Sequence, residues 1–364
     1  MESKHRLATL FIAATSFAWL ASAAQAVEYH IIKTIPVPGL HTVDFSTIDQ
    51  QTGIMFVSDR SNKSIDVVDT NSDKLLRQYG GFKGVFTQLE TSGPNIAYQD
   101  GDTIWATDAP GQIRAVDEKT GRIKDTINCG DTLWRIDGAA MDYKDHIFMG
   151  ESADTPIPYL CWVNTKTGKL IETGKWMPEA TAGLEGSVWD PATDMIYLAL
   201  PEVHHGPGAV YVIDPHTRKV VKEYRQPPGD ECEAGGISLN LEQQEILIGC
   251  DHKGQTDVLD LKTGHVTELP ILGGTDQTAF DPGMHMYFVA SRRGSMGPVL
   301  GVIDSRTHKL VSHPKTAKLT HAVAVNHSNH KVYLPMIGND EAFDNDPAKG
   351  LSCLHGCIGV YAPE

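Results

Sequence analysis

The chain is short of positive charge. Its 31 Lys and Arg face 46 Asp and Glu, a formal net charge of −15. Such a chain repels nucleic acid and anionic membrane faces, which excludes both as partners. It also lacks long apolar segments beyond its first residues. The run at 7–21 is too short and wrongly flanked to span a membrane. Lys4 and Arg6 precede that run, and the small-x-small sequence Ala24-Gln25-Ala26 follows it. Residues 1–26 therefore read as a secretory signal peptide cleaved before Val27, and the mature protein as soluble and periplasmic or secreted. Several chemical signatures are missing too. There is no phosphate loop, no nucleophile elbow and no HExxH helix, and "CLHGC" has the wrong spacing and order for haem attachment.

Cysteine is present, six times. In an exported protein that suggests disulfides. Local pairing joins Cys232 to Cys250 and Cys353 to Cys357, which leaves Cys129 for Cys161. The alternative is a thiolate metal site at "CLHGC", where His355 lies between two Cys.

What dominates the chain is repetition. "VVDTNSDKLL" recurs as "AVDEKTGRIK", "WVNTKTGKLI", "VIDPHTRKVV", "VLDLKTGHVT" and "VIDSRTHKLV", at spacings of 44–50 residues. Each copy is a hairpin: β-branched residues, an Asp or Asn, a polar turn, then β-branched residues again. A second unit, of the type "IMFVSD" or "MIYLAL", lies upstream of each copy. Before that comes a strand rich in small residues, such as "DGAAMD" or "HAVAVN". Four strands per repeat, with small side chains on the innermost, predict a β-propeller blade. The second unit occurs seven times and the hairpin six. The last repeat ends after its third strand, "CIGVYAP", and Tyr29 to Val37 supplies the missing fourth. The prediction is all-β: one seven-bladed propeller over 27–364, closed by its N-terminal strand.

The phrase "VIDPHTRKV", with "DFSTIDQQTGIMFVSD" and "HAVAVNHSNHKVYLPM", resembles the YVTN-repeat family of bacterial propellers along essentially the whole mature chain. The literal YVTN tetrapeptide is absent. The resemblance implies fold and export; function lives in sites that such folds host.

Blade topology picks a face. The start of strand one and the loop between strands two and three share one side, the top. The long loops fall there, and elaborate loops on a rigid scaffold are where function resides. At matching positions, five residues before the turn Asp or Asn, stand Asp44, Asp137, Glu185, Gly235, Asp276 and His321, with His41 and Glu233 alongside. Blade two offers Glu90 or Asn95. Like charges so close need a cation, a shared proton or a basic partner. Arg135, Arg292 and Arg293 are available. One reading is a site for a divalent cation (Asp137, Glu185, Asp276) or a cationic ligand; the other is acids capping backbone N–H groups of the next blade. His204 and His205 sit in a long top loop, and His205 joins Glu185 and His321 as a candidate for proton transfer. His216, His265, His285, His308, His327 and His330 lie in bottom turns and read as structural.

Three functions follow. The first is a binding propeller for a small molecule or a periplasmic protein. The second is a metal-assisted hydrolase, lactonase or lyase. A gluconolactonase-like propeller would hold one cation with Glu, Asp and two Asn, whereas this ring has more acids and fewer Asn. The third is the propeller subunit of a periplasmic dehydrogenase.

Overall fold

The computed structural model describes residues 27–85, 87–252, 254–338 and 346–364, so the proposed signal peptide lies outside the described residues. Seven four-stranded antiparallel sheets form the ring of a seven-bladed propeller. Among the described residues there is no α-helix, and no helix long and apolar enough to cross a membrane.

The second strand of each blade explains the packing. Met195–Leu200 is buried almost throughout because its sheet is covered on both faces. The pleat sends alternate side chains to opposite neighbours. In blade one, Met55 packs with Tyr333 and Ile358 of blade seven, while Phe56 packs with Ile104 and Val116 of blade two. Burying a side chain of this size contributes about 1.5–3 kcal/mol.

The repeated hairpin works as its sequence suggests. Asp69, Asp117, Asn164, Asp214, Asp260 and Asp304 each accept backbone N–H bonds from the turn that follows. Four residues later the chain turns left-handed, at Asp73, Gly121, Gly168, Arg218, Gly264 and His308. Gly meets that demand without a Cβ clash, and the side-chain caps hold the other copies in it.

Closure follows the prediction. Strand Tyr29–Pro36 pairs antiparallel with Cys357–Pro363 as the fourth strand of blade seven. The inner strand of that blade is only Ala324–Val325, and a side chain makes up the deficit. Gln277 Oε1 accepts from the backbone N–H of Ser46 at 3.0 Å and of Val323 at 3.2 Å. Its Nε2 donates to Ser46 O at 2.6 Å, so one residue of blade six ties blades seven and one together. Outside it, Tyr333 Oη lies 2.7 Å from both Thr70 O and Asp73 Oδ1, which share its single hydrogen.

All six cysteines are paired, as Cys129–Cys161, Cys232–Cys250 and Cys353–Cys357. The thiolate metal site weighed for "CLHGC" is thereby corrected: both sulfurs are consumed by the disulfide. Each pair lies toward the top face; Cys232–Cys250 and Cys353–Cys357 stay within blades five and seven, and Cys129–Cys161 joins the end of blade two to the third strand of blade three.

Candidate functional site

The inner strands begin at the top, so the residue five before each bottom turn faces the mouth of the channel. Asp44, Asp137, Glu185, Gly235, Asp276 and His321 all line a cavity of about 1220 Å³ at that mouth. Blade two fills the position with Asn95, which is fully buried. Glu90 lies on an exposed 3-10 turn, Leu89–Thr91, outside the lining, and engages the site through its carbonyl, which accepts from Arg135 N–H at 3.0 Å. Beneath the cavity a smaller void of about 250 Å³ continues down the axis between Phe45, Ile96, Tyr98, Ile237 and Phe280.

The floor is built on a residue that the sequence reading passed over. Arg60 follows the second strand of blade one, as Arg292 follows that of blade six. The repeat frame "IMFVSD" ends one residue short of it; the equivalence to Arg292 was the available signal. Its guanidinium is 5% exposed. It donates to Asp44 Oδ2 and, through Nε, to Asn95 Oδ1 at 2.9 Å, and lies 3.5 Å from Asp137 Oδ1. Arg135 continues the chain, 2.7 Å from both Asp137 Oδ2 and Asp154 Oδ2. Charges thus alternate along Asp44, Arg60, Asp137, Arg135 and Asp154.

Burial sets the proton affinities here. It pushes the Asp44 carboxyl well above the usual carboxylate range, against the pull of Arg60. It lowers the Arg60 guanidinium, with Asp44 opposing. For Arg135 burial also works downward, but Asp137 and Asp154 outweigh it and the net shift is upward. Asp154 is pushed up to about 6, by burial first and then by Asp137.

A second chain crosses blades five and six. Arg292 Nη2 contacts Asp276 Oδ1 at 2.8 Å and Asp251 Oδ1 at 2.9 Å, and Arg293 Nη1 contacts Asp251 Oδ2 at 2.7 Å. The two arginines hold Asp251 below its usual value despite burial.

Glu185 belongs to neither chain. It lines the cavity, and among the described residues no hydrogen bond or ion pair reaches its carboxylate. Burial pushes it well above the usual range, and the charges of Asp137 and Asp276 push it further, against the pull of Arg135. His321 Nδ1 donates to Leu319 O at 2.6 Å, since a carbonyl can only accept. That leaves Nε2 facing Asp276 Oδ2 at 3.8 Å.

The remaining candidates form the rim. His41 and Glu233 line the cavity from exposed positions. His205 also lines it, 83% exposed and 3.2 Å from Glu202. His204 and His355 are exposed and lie off the lining. On the bottom face, His285, His308, His330 and His216 pair with Glu242, Glu245, Asp281 and Asp194, and His327 contacts Phe280 O.

The ring acids do not cap backbone. Asp44, Asp137 and Asp276 engage arginine, and among the described residues nothing engages the Glu185 carboxylate. Nor do Asp137, Glu185 and Asp276 converge as a metal centre. Among the described residues, the groups of three donors lying within 4.8 Å of one another are Cys232–Cys250–Asp257 and Asp145–Asp194–His216. The first has its sulfurs in a disulfide, and the second carries Lys144 2.5 Å from Asp194. Compared with protein-family models and with curated proteins, the chain matches none.

Proposed function

We propose that the protein is an exported propeller that binds a small organic cation in the top-face cavity. The observation that carries this reading is Glu185, a carboxylate on the cavity wall with no partner among the described residues, while every arginine of the lining is already engaged by acids. An ammonium or guanidinium group arriving there supplies the missing counter-charge, in surroundings where charge interactions are stronger than in water. Because burial favours the protonated form of Glu185, binding of a cation expels a proton from it. Export draws support from the N-terminal sequence, from the YVTN-like repeats and from three disulfides.

The hydrolase or lyase reading rests on His321, whose Nε2 is held toward the cavity with Asp276 beside it. It is the weaker one. Glu185, His321 and His205 share no hydrogen bond among the described residues, and two of the three acids that would hold a metal, Asp137 and Asp276, are paired with arginine. Titration calorimetry with n-butylammonium chloride tests the binding reading: saturable uptake that Glu185→Gln abolishes supports it, and no uptake contradicts it.

A further inference from the structure

The cavity has two unlike walls. Its acidic wall is the arc of blades four and five, where Glu185, Glu202, Asp230, Glu231, Glu233 and Asp251 line it without any Lys or Arg from the same two blades. The arginines come from blades one, three and six. In a ring of seven, the junction of blades four and five lies across the axis from blade one. The arc centred on blade one carries the apolar lining, beside the paired Asp44 and Arg60: Leu319 and Ile337 from blade seven, Val43 and Phe45 from blade one, and Leu89 ahead of blade two.

Two of these apolar residues are open to solvent. Leu89 is 48% and Leu319 51% exposed, ahead of the two blades that flank blade one. A single exposed leucine is ordinary, but two that flank a large cavity and continue into buried Val43 and Phe45 form a surface that an apolar ligand would cover. The cavity also keeps hydrogen-bonding capacity free on its polar side. Asp137 is 5% exposed, and its Oδ1 has only the 3.5 Å contact with Arg60, while among the described residues no hydrogen bond reaches the Glu185 carboxylate.

We infer that the ligand is an amphipathic organic cation, an amine or guanidine with an aliphatic or aromatic body, its charged end on the wall of blades four and five and its body against Leu319, Phe45 and Leu89. The inference rests on the cation-binding reading and extends it by giving the ligand a second, apolar half. Its chemistry is non-covalent. The cationic end replaces water at Glu185, and the apolar end removes hydrocarbon surface from water on both partners.

A homologous series separates the two ideas. n-Butyl-, n-hexyl- and n-octylammonium chloride are titrated calorimetrically below their aggregation concentrations, with n-octanol as the uncharged control. Each methylene that reaches the apolar wall should tighten binding about fourfold, the equivalent of about 0.8 kcal/mol. Leu89→Ser combined with Leu319→Ser should flatten that dependence, weakening n-octylammonium most and n-butylammonium least; both positions are exposed, so the fold tolerates the change. Glu185→Gln should abolish n-butylammonium binding and reduce the two longer amines to what the apolar wall alone supplies. Equal affinity for the three amines overturns the amphipathic ligand and leaves the cation site standing. Octanol binding as tightly as octylammonium overturns it as well. Failure of every amine to bind ends both readings.

Discussion

Arg60 donates to Asp44 at the mouth of the channel, and both side chains are buried, 5% and 8% exposed. They come from the same blade: the acid enters on the inner strand and the arginine leaves the second strand beside it. A guanidinium is therefore built into the floor of an acidic cavity, and the carboxyl left without an arginine partner among the described residues lies across the axis at Glu185.

Removing that arginine leaves two acids buried without it. Arg60→Met should destabilise the fold by about 3–5 kcal/mol, the usual result of breaking a buried ion pair from one side. Arg60→Met with Asp44→Leu should recover much of the loss. Urea unfolding checks both, and a loss under about 1 kcal/mol in the single variant would mean that the pair has little structural weight.

A second expectation concerns pH. Asp257 sits at the same place in blade five as Asp66 in blade one, three residues before the turn Asp. Burial pushes Asp257 up to about 7, with Asp230 adding to it and Gln255 opposing; burial and Asp59 push Asp66 up to about 8. Both start from 3.8 when unfolded. The folded chain thus keeps protons that the unfolded chain has lost, and stability falls as pH rises from about 4 towards 7 or 8. Asp257→Asn should flatten that decline, worth on the order of a few kcal/mol, in Tm measured from pH 4.5 to 8. An unchanged slope would remove Asp257 from the account.

The outer hairpins should affect stability without touching binding. Asp214 accepts backbone N–H bonds from His216 and Thr217, so Asp214→Ala should cost about 1 kcal/mol. His216 lies on the bottom face, beside Asp194, and His216→Ala should bind n-butylammonium as the unaltered protein does. Weaker binding in that variant would count against a site confined to the top.

Closure by the N-terminal strand predicts a strong effect from a remote change. Ile35 is 3% exposed and packs against Val57 and Ile358. Ile35→Asp places an unpaired charge in that cluster and should lower Tm by well over 5 °C. A near-native Tm would mean that the last blade does not need its fourth strand.

How far the sequence carried differs between fold and site. Repetition of a hairpin anchored by Asp69, Asp117 and their counterparts made the blades legible, because the same local chemistry is written six times. The absent seventh hairpin pointed to Tyr29 as the start of the closing strand. The site was legible only as positions. Counting from the turn Asp located Asp44, Asp137, Glu185 and Asp276 at one mouth, but a count of acids does not say which are already paired. That depends on Arg60, whose value comes from where the second strand ends. For the same reason the metal reading of Asp137 and Asp276 could not be weighed before their arginines were seen.

The most direct test is calorimetric titration of n-butylammonium into the unaltered protein and Glu185→Gln, each in two buffers of different ionisation enthalpy. The account predicts saturable one-to-one binding, with release of a proton revealed by heats that differ between buffers, and loss of both in Glu185→Gln. Undiminished binding by Glu185→Gln, or no binding by the unaltered protein, would contradict it.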